Sequence, residues 1–332
     1  MPETASEFRA PRWCRNCHVQ TIWGPMFRRP RLRLRRERLL TSDGDFVDLD
    51  WCADEPSRDA PVLLVLHGLE GSSRSHYAQG LLDGARARGW RAAVVHFRSC
   101  SGEMNRLPRF YHSGDTGDLR DVVGQLRTRE PGVRLVAAGV SIGGNVLLKW
   151  LGEEADAAPV AAAAAISVPF DLAACAERLD RGFAKAVYTA NFMRTMRRKV
   201  VEKAQQYPGF VDIVAARRAR TFAAYDAAVT APLFGFADAR EYWERASSRP
   251  YLRAIARPTL LLNALDDPFI PRHGLPKPDE LSPHVRLVLT ERGGHVGFLD
   301  GAPWRVGSWA ERQVIGFLEA RLAGIDAGAP RA

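Results

Sequence analysis

VRLVAAGVSIGGN, residues 133–145, is an apolar run that stops at a serine set among glycines. A short continuous run of this kind, bounded by glycine and followed by a helical pattern, reads as a buried parallel strand turning sharply into a helix. Within it Gly139-Val140-Ser141-Ile142-Gly143 spells G-x-S-x-G. So tight a turn leaves no room for side chains two residues either side of the serine, where they would meet the neighbouring strand and helix. The serine is forced up at the strand's C-terminal end, above a helix whose N-terminal dipole favours developing negative charge. A structural serine in a turn is the plainer alternative. The strand–turn–helix context makes Ser141 the candidate nucleophile.

Working outward, PVLLVLHG (61–68), WRAAVVHF (90–97), VAAAAAISV (160–168), PTLLLNAL (258–265) and HVRLVLTE (284–291) read as further buried strands. Helical patterns lie between several of them, at 76–89, near 115–129 and from about Ile142, and a last one runs from about 304 to 322. Strands alternating with helices predict βαβ units and a mostly parallel sheet flanked by helices. Upstream, Arg31-Leu32-Arg33-Leu34-Arg35 and FVDLDW (46–51) alternate about a Ser42-Asp43-Gly44-Asp45 turn, which predicts a half-exposed antiparallel hairpin. Residues 170 to about 255 carry only helical patterns. The expected organisation is therefore a core of residues 1–168 and 256–332 with a helical cap inserted at 169–255.

A serine needs a base held by an acid, and in a fold of this kind both follow late strands, in the order Ser, acid, His. GGHVGF (293–298) makes His295 the candidate base, because His273 and His284 sit in a Pro-rich loop and at a strand start. LDDPFIP (265–271) makes Asp267 the candidate acid; Asp266 is an alternative that could instead orient the loop, and Asp171 is the topological alternative. Acyl transfer also needs oxyanion donors. The backbone N–H groups of Ile142, after the serine, and Leu69, after the His67-Gly68 turn, are the expected pair, with His67 structural. This chemistry requires no cofactor and no metal.

Net charge is +9, and 42 of the 47 basic residues are arginine. RRPRLRLRRER (28–38) and MRRKVVEK (196–203) are the two clusters, and alternation in the first places its arginines on a solvated face. Nucleic acid is not an expected partner. The five cysteines, an odd number, argue against a disulfide framework. Cys14-Arg15-Asn16-Cys17-His18 has the C-x-x-C-H spelling of haem attachment, but the start of the chain lacks the apolar region of a secretory signal. Zinc would lack a fourth ligand. No apolar run approaches membrane-spanning length, so the expected address is the cytoplasm.

Taken together, HGLEGSSRSHY (67–77), HFRSCSGEMNR (96–106), YHSGDTGDLR (111–120), GVSIGGN (139–145), LDDPFIP and GGHVGF resemble the YheT-like branch of the α/β-hydrolases, the AB hydrolase 4 family. The resemblance spans nearly the whole chain. It also explains Asn16-Cys17-His18-Val19-Gln20-Thr21, where the family carries N-P-H-x-Q-T and Cys17 stands in place of proline. It implies esterase or lipase-like activity on a small-molecule acyl ester, with some relatives phospholipases or alcohol acyltransferases. The alternatives are acyl transfer to an alcohol and a non-catalytic scaffold. The basic, aromatic-rich cap, with Arg197, Arg198 and Lys199, suggests an amphiphilic or anionic substrate and transient membrane-surface contact. Oligomeric state is not readable from the sequence.

Overall fold

The computed structural model of the chain describes residues 8–29, 31–54 and 56–324. Residues 1–7, at the start of the chain, and 325–332, the end of the expected core, lie outside them.

Eight strands form one sheet: β1 (Leu34–Leu40), β2 (Phe46–Cys52), β3 (Val62–Leu66), β4 (Arg91–Val95), β5 (Leu135–Val140), β6 (Ala162–Ile166), β7 (Thr259–Ala264) and β8 (Val285–Thr290). Their spatial order is β1-β2-β4-β3-β5-β6-β7-β8. β1 and β2 pair antiparallel and β2 meets β4 antiparallel, whereas all pairs from β4 through β8 are parallel. Alternation along a strand feeds two cores. Val62, Leu64 and Leu66 pack on one face with Leu119, Val122, Val146 and Leu147, from helices α3 (Gly117–Arg129) and α4 (Ile142–Glu154). Leu63 and Val65 pack on the other with Leu81 and Leu82 of α2 (His76–Arg86). Full burial of such side chains contributes roughly 1.5–3 kcal/mol each, which is why a parallel strand covered on both sides reads as an unbroken apolar run.

The expected strands and sheet are present, with two differences at the edges. β1 begins at Leu34 rather than Arg31, and β2 is buried along its whole length. Asp48 and Asp50, read as solvent-facing, are enclosed by charge: Arg38 holds Asp48 at 2.8 Å, while Arg36, His96 and Ser73 hold Asp50 at 2.6–2.8 Å. Period-two alternation does not distinguish water from a buried ion network as the destination of the polar face. At the other end, the last helix starts at Trp309, not near 304. Residues 299–308 instead form a two-stranded ribbon, β9 (Leu299–Ala302) with β10 (Arg305–Ser308), turned at Pro303-Trp304. Ser308 then caps Trp309–Leu322 by accepting from Glu311 N.

From 167 to 258 the chain contains helices and turns only. α5 (Leu172–Leu179) and α6 (Ala190–Gln206) are the first long pieces, α7 (Ala239–Ala246) follows, and a 3-10 stretch at Arg249–Ala254 ends the run. Two single π-helical turns, Lys185–Thr189 and Asp226–Thr230, interrupt it. Among the described residues no helix is long and apolar enough to cross a membrane.

Candidate active site

Ser141 sits between β5 and α4 with φ of 55° and ψ of −123°, a conformation that costs of order 1–3 kcal/mol and is sustained only by its surroundings. Its N–H donates to Ile166 O on the neighbouring strand at 2.9 Å. The glycines around it are demanded by backbone. A Cβ on Gly139 would lie 2.5 Å from Gly143 O, and one on Gly143 would lie 2.4 Å from Leu66 O. The strand–turn–helix thus presents Oγ above the sheet's C-terminal edge.

His295 and Asp267 reach this point from the loops after β8 and β7. His295 Nε2 is 2.9 Å from Ser141 Oγ, and its Nδ1 is 2.9 Å from Asp267 Oδ2. Asp267 Oδ1 accepts from Phe269 N at 2.8 Å and Ile270 N at 3.3 Å, which fixes the carboxylate. The Asp266 carboxylate turns away from the imidazole and accepts from Gly294 N at 2.9 Å. Asp171 caps α5 through Ala174 N. Of the three acids considered, the structure brings only Asp267 onto His295.

Leu69 and Ile142 both line the cleft beside Ser141 and His295, and among the described residues neither amide has an intramolecular hydrogen-bond partner. For Ile142 this follows from its place in the first helical turn. The Leu69 loop is held on both sides: Gly68 N donates to Tyr77 Oη at 2.8 Å and Glu70 N to Tyr111 Oη at 3.0 Å. His67 accepts from Phe97 N at Nε2, so its Nδ1 proton points to Gly68 O at 2.7 Å. Burial brings its pKa down to about 3, and it is a neutral, structural imidazole.

Residues from the helical segment roof the cleft. Leu172, Leu179, Phe192, Met196, Phe222 and Leu233 make most of that wall apolar. Lys199, from α6, turns inward and pairs with Glu70 at 2.8 Å, next to Leu69. Burial opposes its charge, but Cys100 and Glu70 outweigh burial and raise its pKa. Arg197 is spent on the Met193 and Arg217 carbonyls. Of the basic run 197–199, Lys199 is thus paired with a carboxylate inside the cleft, while Arg198 is exposed.

The sequence reading missed several residues. Phe269 lies flat on the His295 ring, with centroids 4.0 Å apart and planes at 19°. Thr21 receives the His295 N–H at 2.9 Å. Asp226 lines the cleft, holding Trp243 Nε1 at 2.8 Å and Thr230 Oγ1 at 2.6 Å. Thr21 lies in the Asn16–Thr21 motif and Phe269 in LDDPFIP, whereas Asp226 has no local sequence signal. In and beside the Asn16–Thr21 motif, Cys14 and His18 have separate partners: Cys14 Sγ meets Gln20 Nε2, and His18 Nδ1 meets Tyr188 Oη at 2.8 Å. Among the described residues no three His, Cys, Asp or Glu side chains cluster as metal ligands.

Burial pushes the Asp226 carboxyl up from 3.8 to about 6, against the two donors it holds. An acid raised in the folded state favours folding below its unfolded value of 3.8, and that contribution fades as pH rises towards 6. Asp226→Asn is expected to be near neutral at about pH 4 and to exceed the native chain in stability at about pH 8, by up to ~3 kcal/mol. Thermal unfolding of both proteins across this range checks it. Parallel curves would show that Asp226 does not titrate as stated.

A family model described as alpha/beta hydrolase fold matches residues 61–302. The chain is 40% identical over 324 residues to "Putative esterase YheT" of Escherichia coli (strain K12), covering 96% of this chain and 95% of that one. It is 33% identical over 318 residues to phospholipase ABHD3 of Mus musculus, covering 93% and 77%. Among solved structures it resembles the Pyrococcus furiosus esterase Pf2001 in fold, with a TM-score of 0.56 and 17% identity over 87% of this chain and 92% of that one.

Proposed function

Because this chain belongs to the α/β-hydrolase family, in its YheT-like branch, we propose that it is a serine hydrolase that cleaves carboxylic esters through an acyl-enzyme on Ser141. His295 Nε2 takes the Ser141 proton as Oγ attacks the ester carbonyl, then returns it to the departing alkoxide. The tetrahedral oxyanion is received by the Leu69 and Ile142 amides, at the positive end of α4. Water deprotonated by His295 then releases the acid and restores Ser141. Asp267 holds the Nδ1–H tautomer and stabilises the imidazolium that forms in both halves of the reaction.

The observation that carries this reading is the hydrogen-bonded series Asp267–His295–Ser141, with both contacts at 2.9 Å, opening on an apolar cleft. In this reading residues 169–255 are the cap and supply the acyl-binding wall. An apolar acyl chain of intermediate length suits that wall better than acetate, since only the longer chain exchanges water for contact with Leu172, Phe192 and Met196. The names of relatives, a phospholipase among them, agree with an apolar acyl group.

The test is fluorophosphonate labelling of the native protein and of Ser141→Ala, with turnover of p-nitrophenyl esters of increasing acyl length. Labelling is expected on the native protein alone, and kcat/KM should rise from acetate to intermediate chains. Label retained by Ser141→Ala, or none on folded native protein, would overturn the reading.

A further inference from the structure

The loop carrying His295 cannot hold its own shape. Gly293, Gly294, Val296 and Phe298 have φ of 155°, 58°, 60° and 44°. A β-branched residue such as Val296 enters that region only where its surroundings impose it. What imposes it is a set of side chains from elsewhere. Gly294 N donates to Asp266 Oδ1 at 2.9 Å and His295 N to Thr21 Oγ1 at 2.9 Å. Val296 N donates to Ser167 Oγ at 3.0 Å and Leu299 N to Gln20 Oε1 at 2.7 Å.

Two of these four supports come from one element, helix α1 (Cys17–Phe27), which is capped by the Asn16 side chain on His18 N and Val19 N. The Thr21 hydroxyl gives its own proton to Cys17 O at 2.7 Å, so a lone pair is what faces His295 N. Gln20 is wholly buried and donates Nε2 to Leu299 O at 3.3 Å and Cys14 O at 3.0 Å. Helix and loop touch backbone to backbone. A Cβ on Gly294 would lie 2.4 Å from Cys17 O, and one on Gly297 would lie 2.6 Å from Gln20 O. The helix also reaches the ring indirectly: His18 bonds Tyr188, whose ring packs on Phe269 at 4.6 Å, and Phe269 lies on the imidazole.

We propose that α1 belongs to the catalytic apparatus, with Thr21 and Gln20 as positioning residues that place the His295 backbone and thereby its Nε2 over Ser141. The proposal rests on the serine-hydrolase reading for its effect on rate, though not for its effect on the loop. Only two side-chain bonds separate the His295 Cα from its ring, so a backbone displacement passes almost undiminished to Nε2. A displacement of about 1 Å costs on the order of 100-fold in rate. The Asn16–Thr21 motif, distant from Ser141 in sequence, acquires its role here.

The experiment compares Thr21→Val, which keeps the shape and removes the acceptor, with Thr21→Ser, which keeps the acceptor. On p-nitrophenyl butyrate, Thr21→Val is expected to lower kcat about 100-fold while KM stays within about twofold, and Thr21→Ser to recover most of the loss. Thr21→Ala is the second variant and should follow Thr21→Val. Amide hydrogen exchange is read on the same proteins. Residues 291–299 should exchange faster in Thr21→Val and Thr21→Ala than in Thr21→Ser, with the sheet strands unchanged. Full kcat in Thr21→Val, an equal loss in Thr21→Ser, or unchanged exchange at 291–299 would each overturn the proposal. Absence of ester turnover by the native protein would count against the Ser141 reading alone, and hydrogen exchange would still decide the positioning role.

Discussion

Asp267→Asn is expected to lower kcat by about 10⁴-fold, whereas Asp266→Asn stays within about tenfold of the native enzyme. The two carboxylates are neighbours in sequence, but their partners differ in kind. Asp267 Oδ1 accepts from the Phe269 and Ile270 amides while Oδ2 faces His295 Nδ1. An asparagine in that place must give its one oxygen to the two backbone donors, so its NH₂ turns to the imidazole. Nδ1 then becomes an acceptor, the ring proton moves to Nε2, and Nε2 can no longer take the Ser141 proton. Asp266 instead faces backbone N–H groups of the glycine pair, Gly294 N at 2.9 Å among them, and an amide oxygen can also accept from these. Steady-state kinetics on one p-nitrophenyl ester, with circular dichroism to check folding, compares the variants. Equal losses, or the larger loss in Asp266→Asn, would move the role of the acid to Asp266.

Gly143→Ala is expected to cost more than about 4 kcal/mol of folding stability and to leave little folded protein, among the largest effects of any single methyl in the chain. The added Cβ would lie 2.4 Å from Leu66 O and 2.5 Å from His67 O. The Leu66 oxygen cannot rotate aside, because β3 is hydrogen-bonded on both edges, to β4 and β5, and His67 follows it directly. Either the elbow or the centre of the sheet would have to move. Gly124→Ala is the control. It lies within α3 with nothing within 4 Å of its added Cβ, so it should stabilise by about 0.5–1 kcal/mol through the lower entropy of the unfolded chain. Urea unfolding of both variants checks the contrast. Similar stabilities would mean that the elbow yields more easily than its backbone contacts imply.

The parallel strands were legible because burial on both faces writes itself as an unbroken apolar run, as in PVLLVL and VAAAAAI. The G-x-S-x-G at 139–143 was legible because a local steric demand fixes its glycines. His295 and the pair Asp266–Asp267 were found from loop position and chain order. The loop pattern favoured Asp267 for the acid but left Asp266 open, since adjacent residues on a turn differ only in direction. The edges misled for a related reason. FVDLDW alternates like a half-exposed strand, yet Asp48 and Asp50 face arginines and a histidine. The segment from about 304 carries a helical pattern, but pairing between Leu299–Ala302 and Arg305–Ser308 takes its first residues into a ribbon.

By itself, then, the sequence determined the layered sheet, the sharp turn that lifts Ser141, and the helical character of residues 170–255. Each depends on interactions within a short window: apolar periodicity, turn sterics, the absence of strand patterns. Tertiary structure alone decided that Asp267 and not Asp266 meets His295, that Lys199 turns onto Glu70, and that Thr21 and Gln20 support a loop more than 270 residues away. Those outcomes depend on where distant backbones come to rest. A hydrogen bond, with its reach of about 3 Å, exists only once the whole chain has set that distance.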